Sequence, residues 1–345
     1  NILNNKGENM TNIKKIGLSA LAGSLVAFSA NAVEMSVSGV AEVTYTTNGG
    51  TGTTVTGNPW GSNTSISFSG SGDVGFGTAT IVRTLNDGAN HSTQTDNFVS
   101  AYQTVDMGSL GTLSFDSAGG GLEGVTAYDD LLPTAYEEVW NGVGSGTSYN
   151  AGAASNDTLG YSNSFGALGI SLATSKGGTR ASSDGGNGGA VTGTTKDVVI
   201  TFDGSAVIDG LSGGVMSSTK SMTAAASDDD EIHGVWLNYT TGPISVGARG
   251  SSVDSGTAGA ATKDVEAYSI AFNVNDNMSI SLATQDVEFD KTAGGTNVTE
   301  TIDAINASYT MGAASVRATM SEASDDAGVA GADDEHMEIS LVLSF

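Results

Sequence analysis

Cysteine is absent from this 345-residue chain, proline occurs three times, and only 12 residues are Lys or Arg against 38 Asp or Glu. Without cysteine there is no disulfide framework, no thiolate metal site and no cysteine nucleophile. A formal net charge of −26 repels phosphate backbones, so nucleic acid is excluded as a partner. The same surface attracts cations, including divalent ions that bridge anionic headgroups, or it simply keeps the loops soluble. Long apolar runs are missing too. Hydrophobic residues make up 38%, below the usual globular share, and most stand singly. That distribution suits a wall with one apolar face and one wet face. Beyond residue 32 nothing approaches the roughly eighteen consecutive apolar residues of a transmembrane helix. A membrane location therefore requires a closed barrel, in which every backbone group finds a partner.

Residues 10–32 read as a signal peptide. Lys14 and Lys15 follow Met10, Ile16 to Phe28 is apolar but too short to span a bilayer, and Ala30-Asn31-Ala32 is a small-x-small cleavage site. Residues 1–9 lie upstream of that methionine, and Lys6-Gly7-Glu8 can be encoded by a ribosome-binding sequence, so 1–9 read as an upstream extension outside the true reading frame start. Residues 33–345 then form one barrel unit with nine basic and 37 acidic residues, a net charge of −28.

What fills the chain is alternation with a period of two. In 34–47, Met35, Val37, Gly39, Ala41, Val43 and Tyr45 share one face, against Ser36, Ser38, Glu42 and Thr44. The final nine residues repeat the pattern, with Met337, Ile339, Leu341, Leu343 and Phe345 on one face and Glu338, Ser340, Val342 and Ser344 on the other. Sixteen such segments are predicted, near 34–47, 62–72, 75–85, 96–106, 111–117, 157–165, 168–176, 196–204, 211–221, 231–241, 244–253, 264–274, 278–289, 299–310, 314–322 and 335–345. Of these, 196–204 and 211–221 are the weakest. Most are about ten residues long, enough for a tilted strand to cross a bilayer. Tight connections, such as 166–167 and 242–243, alternate with long polar ones, such as 177–195 and 323–334. The predicted fold is all-β: a transmembrane antiparallel β-barrel.

The longest connection, 118–156, departs from the others. Its stretch Tyr128-Asp129-Asp130-Leu131-Leu132-Pro133-Thr134-Ala135-Tyr136-Glu137-Glu138-Val139-Trp140 mixes acids with large apolar side chains. Those apolar groups need a surface to pack on, which a loop folded inward against the wall supplies. A short helical turn is expected near 134–140.

At this point the chain resembles the trimeric general porins of Gram-negative bacteria, closest to those of alphaproteobacteria. Three pieces carry the resemblance: the opening strand VEMSVSGVAEVTYT after a signal peptide; Gly111-Thr112-Leu113-Ser114-Phe115-Asp116 followed by the loop with Tyr128-Asp129-Asp130-Leu131 and Glu137-Glu138-Val139; and the last strand ending in Phe345. The resemblance implies sixteen strands, an inward third loop, a homotrimer in outer-membrane lipid, and a terminal Phe345 read by the barrel-assembly machinery. One departure stands out, because the family often lines one wall of its constriction with a denser Arg/Lys cluster than nine basic residues provide.

A barrel of this size holds an aqueous lumen, and its selectivity comes from whatever narrows it. The candidate acids are Asp129, Asp130, Glu137 and Glu138 on the loop, with Asp116 and Glu123 nearby. For the opposite wall, strand parity nominates bases. Phe76, Thr78, Thr80 and Val82 are taken as outward, which turns Arg83 inward. Ile244, Val246 and Ala248 do the same for Arg249, and Val316, Ala318 and Met320 for Arg317. Lys220 is a weaker candidate. Acids on the loop facing bases on the wall would set up a transverse field, and the excess of acid predicts passage of small hydrophilic solutes with a preference for cations.

Other motifs lose their mechanism in context. Gly70-Ser71-Gly72-Asp73-Val74-Gly75 matches a dinucleotide fingerprint but opens no helix, and Gly210-Leu211-Ser212-Gly213-Gly214 lacks the strand–turn–helix of a nucleophile elbow. No cofactor is expected. The acidic runs 228–231, 325–326 and 333–335 lack the spacing of a Ca²⁺ loop, so they collect divalent cations loosely or stand solvated. No acid–base or nucleophile constellation survives, which argues against an enzyme. A solute-specific channel on the same barrel and a secreted adhesin or surface-layer β-protein remain as alternatives.

Overall fold

The computed structural model describes residues 34–51, 57–86, 97–118, 122–128, 131–143, 157–177, 193–222, 228–256, 260–290 and 296–345. The upstream extension and the signal peptide lie outside them. Sixteen strands follow in order: β1 (Glu34–Gly50), β2 (Trp60–Asp73), β3 (Thr78–Asn86), β4 (Asn97–Asp106), β5 (Thr112–Ala118), β6 (Thr158–Phe165), β7 (Leu168–Gly177), β8 (Gly193–Asp203), β9 (Leu211–Met222), β10 (Asp230–Thr241), β11 (Ile244–Asp254), β12 (Thr262–Asn275), β13 (Met278–Asp290), β14 (Val298–Met311), β15 (Ala314–Ser324) and β16 (Asp333–Ser344). Each pairs antiparallel with its sequence neighbours, and β16 returns to β1 to close the barrel. Closure removes every free edge.

Register decides which side chains face lipid, because a slip of one residue turns a whole strand inside out. Along the seam Ala41 lies opposite Leu343, Val43 opposite Leu341 and Tyr45 opposite Ile339, so the apolar rows of both strands meet on the outer surface, where Val43, Ile339, Leu341 and Leu343 are exposed. The two weakest predicted segments are strands as well. Val198 and Ile200 on β8 and Val215 on β9 join the outer apolar rows. Near the short-turn end, Phe165, Phe202, Tyr239, Phe272, Tyr309 and Phe345 follow one another around the outside. A girdle of aromatic rings at one level marks a membrane–water boundary.

One strand starts later than predicted. Residues 74–77 form a turn, in which the Gly75 N–H donates to Asp73 Oδ1 (2.6 Å) and the Val74 N–H to the Gly77 carbonyl (2.9 Å). Phe76 belongs to that turn and carries no information about the facing of β3.

Candidate pore constriction

The connection after β5 leaves the wall where pairing is thinnest, since only Thr112–Asp116 of the seven-residue β5 pair with β6. It turns inward at Glu123, whose carboxylate accepts hydrogen bonds from Ser162 on β6 (2.8 Å) and Ser171 on β7 (2.6 Å). The Gly124 N–H donates to Ser171 Oγ (2.9 Å), and the Val125 N–H to Asp197 Oδ2 on β8 (3.2 Å). Ser218 on β9 donates to the other Asp197 oxygen (2.6 Å). Gly124 has φ +75°, and a Cβ there would lie 2.6 Å from both Ala173 and Asp197, so only glycine lets the backbone come this close to the wall.

A 3₁₀ turn follows at Val125–Tyr128. The helical turn therefore sits ahead of the predicted 134–140, where isolated bends and turns occur instead. Val125 packs in a cluster with Val199, Met216, Trp236, Val265, Val287 and Phe289, with Tyr128, Leu131 and Trp140 against its edge. The Tyr128 ring lies 5.5 Å from Trp236. Leu131 accepts a hydrogen bond at its carbonyl from Asn238 on β10 (2.6 Å), the Ala135 N–H donates to Ser281 on β13 (2.9 Å), and Asn306 on β14 donates to the Glu137 carbonyl (3.0 Å). Val139 and Val143 bury themselves against Ile302, Ala304 and Ala323 of β14 and β15. Burying each valine stabilises the docked loop by about 1.5–3 kcal/mol. Gly142, φ +77°, rests on the His336 ring of β16, leaving no space for a side chain.

The loop's anchors thus run along the inner wall from β6 round to β16, and the inner faces of β1–β4 form the wall opposite. Tyr136 completes the span by donating to Glu338 Oε1 on β16 (2.7 Å). Burial, with the Glu338 and Glu137 carboxylates beside it, pushes the Tyr136 hydroxyl far above its ordinary range, so it keeps the proton that it donates.

This arrangement corrects several sequence-based expectations. Asp116 and Glu123 are 3% and 9% exposed, covered where the loop meets the wall; they fasten the loop and do not face open water. Glu137 and Glu138 are half-buried on the loop's far stretch, while Asp129 and Asp130 lie outside the described residues. Arg249 points inward but is 4% exposed, donating to Gln285 Oε1 (2.6 Å) with its guanidinium 4.8 Å from the Trp140 ring centre. Arg317 also points inward, 5.4 Å from the Tyr136 ring centre. Both arginines therefore lie on the wall that the loop rests on, stacked against loop aromatics, and not on the wall it faces. Lys220 is half-buried on the inward face of β9, sharing that face with Met216 and Ser218.

Arg83 is on the outside. Register sets it opposite Phe68 and between Ile81 and Leu85, all exposed on the outer face. Its Nη1 donates to the Val82 (2.7 Å) and Tyr102 (3.1 Å) carbonyls. The expectation failed because Phe76 was counted as part of the strand. Arg83 is also the single basic residue between Lys15 and Lys176. With it turned outward, the described inner faces of β1–β5 carry no base, and neither does β16. They carry mostly Ser, Thr and Asn, and midway along the strands stand acids that the sequence reading left unselected: Glu42, which accepts from Ser340 (2.7 Å), and Glu338. Parity had put both on the face opposite Met35 and Met337. What marks them out is only the loop arriving at that place.

The Gram-negative porin family profile matches residues 17–342. Comparison with curated proteins by sequence finds no match. Among solved structures, the chain is similar to the trimer form of OmpT, an outer membrane protein of Vibrio cholerae (TM-score 0.62, 13% identity, 91% of this chain and 100% of that one). It is similar to Salmonella typhi OmpF in complex with daunomycin (TM-score 0.65, 13%, 91% and 98%). It is also similar to an anion-selective porin from Comamonas acidovorans (TM-score 0.62, 13%, 91% and 100%). A family profile spanning nearly the whole barrel, a wall greasy outside and hydroxyl-lined within, and a loop laid across its interior agree: the chain belongs to the Gram-negative porin family, as a channel of the outer membrane.

Proposed function

We propose that this channel passes small hydrophilic solutes and ions by passive diffusion, prefers cations, and performs no chemistry of its own. One observation carries the preference: among the described residues the inner faces of β1–β4 bear Glu42 and hydroxyls and no Lys or Arg, because Arg83 points away, and Glu338 stands beside them on β16 where the loop ends. Carboxylates in a narrow passage with low-dielectric walls raise the local cation concentration and repel anions. The transverse field expected from bases opposite the loop gives way to an excess of carboxylate there, with Arg317 set against Tyr136 on the side where the loop rests. Hydroxyls of Ser38, Thr44, Ser65, Ser67, Thr80 and Thr84 offer water-like partners to passing solutes.

The same arginine supports assembly with further copies of the chain. A guanidinium amid outward apolar rows is costly in lipid and is better accommodated against protein, which fits the trimer form described for OmpT. Phe345 suits its proposed role as assembly signal: it is 71% exposed, on the outer surface at the barrel's seam.

The test is single-channel current in a planar bilayer under a KCl gradient. Ohmic steps with a cation-selective reversal potential are expected. Anion-selective steps would overturn the charge assignment, and an absence of steps from a folded oligomer would overturn the channel. Saturable block by one solute would favour a solute-specific channel instead.

A further inference from the structure

The connection between β15 and β16 folds a single 3₁₀ turn, Asp326–Gly328, inward onto β13 and β14. Beneath it lies Glu300, 0% exposed, on the same inward row as Ile302. Glu300 Oε1 accepts the Ala327 N–H (2.9 Å). Its other oxygen and Oδ1 of Asp326 are both buried, with no N–H or O–H donor from any other group. The two carboxyl groups are adjacent and act directly on one another. Asp325 stands next in the chain, its Oδ1 accepting the Gly331 N–H (2.6 Å). Among the described residues one base acts on Glu300, Lys263, whose ammonium lies 5.1 Å from the Phe289 ring centre. A fully buried carboxylate beside a second carboxyl calls for a further positive charge close by.

We propose that Glu300 and Asp326 together bind one hard divalent cation, Mg²⁺ or Ca²⁺, that pins the last long connection to the inner wall just above the constriction loop. An all-oxygen pair suits these ions and not the softer transition metals. Asp326 is half-buried, so water can reach the site, and Mg²⁺ in particular is commonly held by one or two carboxylates with waters filling the other positions. Among the described residues no group of three or more His, Cys, Asp or Glu converges, and the site is this pair alone. It differs from the solvated acidic runs in that one ligand is wholly buried and has an oxygen unused. The bound ion would also neutralise charge at the mouth, since Ile302, two residues along, is where Val139 and Val143 of the constriction loop are buried.

The test uses the full folded protein in detergent, stripped with a chelator, with heat unfolding followed as CaCl₂ or MgCl₂ is added at constant ionic strength. Wild type is expected to gain thermal stability saturably. Asp326→Asn, on the half-buried turn, and Glu300→Gln are expected to lose that gain. Crystals soaked in MnCl₂ should show an anomalous peak between the two carboxylates, absent in Asp326→Asn. No gain in wild type, a gain undiminished in the Asp326→Asn variant, or no peak would overturn the proposal. A stability that follows pH while ignoring the cations would overturn it in favour of a shared proton. None of these outcomes depends on whether the pore selects cations.

Discussion

The inner wall of the barrel has two halves built to different rules. Under the loop, inward residues are Val199, Met216, Trp236, Ile302 and Ala304, and the polar groups among them, such as Ser171, Asp197 and Asn306, are bonded to loop backbone. On the facing half, inward residues are mostly short hydroxyls, with Glu42, Val40, Val82 and Tyr102 among them. Both halves present the same apolar face to the outside. Period-two alternation therefore reports the outer face, and what the inner face carries depends on whether protein or water covers it.

The largest effect should come from breaking the covered half. Gly142→Val, or Gly124→Ala, drives a side chain into His336 or into Ala173 and Asp197. Overpacking of this kind costs about 1–3 kcal/mol, and the positive φ at both positions would add backbone strain. Conductance should rise and become noisy as the loop detaches; an unchanged trace would mean that the loop does not narrow the pore. Next comes the bare half. Glu42→Gln with Glu338→Gln should cut the cation-to-anion permeability ratio several-fold. The loss should be greater at about 0.1 M salt, where the Debye length is about 10 Å, than at about 1 M, where it is about 3 Å. Equal ratios in variant and wild type would place the selectivity elsewhere. Arg83→Leu extends the comparison to the outer surface: the oligomer should dissociate at lower temperature, losing about 2 kcal/mol or more per contact, while the single-barrel conductance stays the same.

The smallest effect concerns the tie between the halves. Tyr136→Phe removes one hydrogen bond to Glu338 and should weaken loop docking by about 1 kcal/mol. Because docking raises the affinity of Tyr136 for its proton, an undocked loop gives up that proton first once the pH passes the ordinary value of 10.0. Docking should therefore hold steady from neutral pH to about 9 and weaken above 10, visible as conductance noise that grows with alkali in wild type and stays flat in Tyr136→Phe.

All sixteen strands were legible in the sequence because lipid demands an apolar outer face on each of them. The inward course of the loop was legible for the same kind of reason, since Leu131, Val139 and Trp140 had to be buried somewhere. The charges were harder to place. Arg83 was assigned to the wrong face because a turn residue, Phe76, extends the alternation of β3 beyond its true start. Arg249 and Arg317 were assigned to the correct face, but only the path of the loop shows that aromatics cover them. Asp116 and Glu123 look like pore acids in sequence because nothing local reveals the serines of β6 and β7 that bind Glu123.

The seam between β1 and β16 has a consequence for how the protein comes into being. Glu42 and Ser340, bonded across it, are 298 residues apart in the chain, and the last residue, Phe345, exchanges both backbone hydrogen bonds with Gly39. The first strand must wait for the last before either has its final partner. Contacts this remote slow folding, and each waiting edge can pair with the wrong chain. Until the two ends of the barrel meet, the backbone groups that join them have no partner within the chain, so closure is the last step by which the wall becomes continuous.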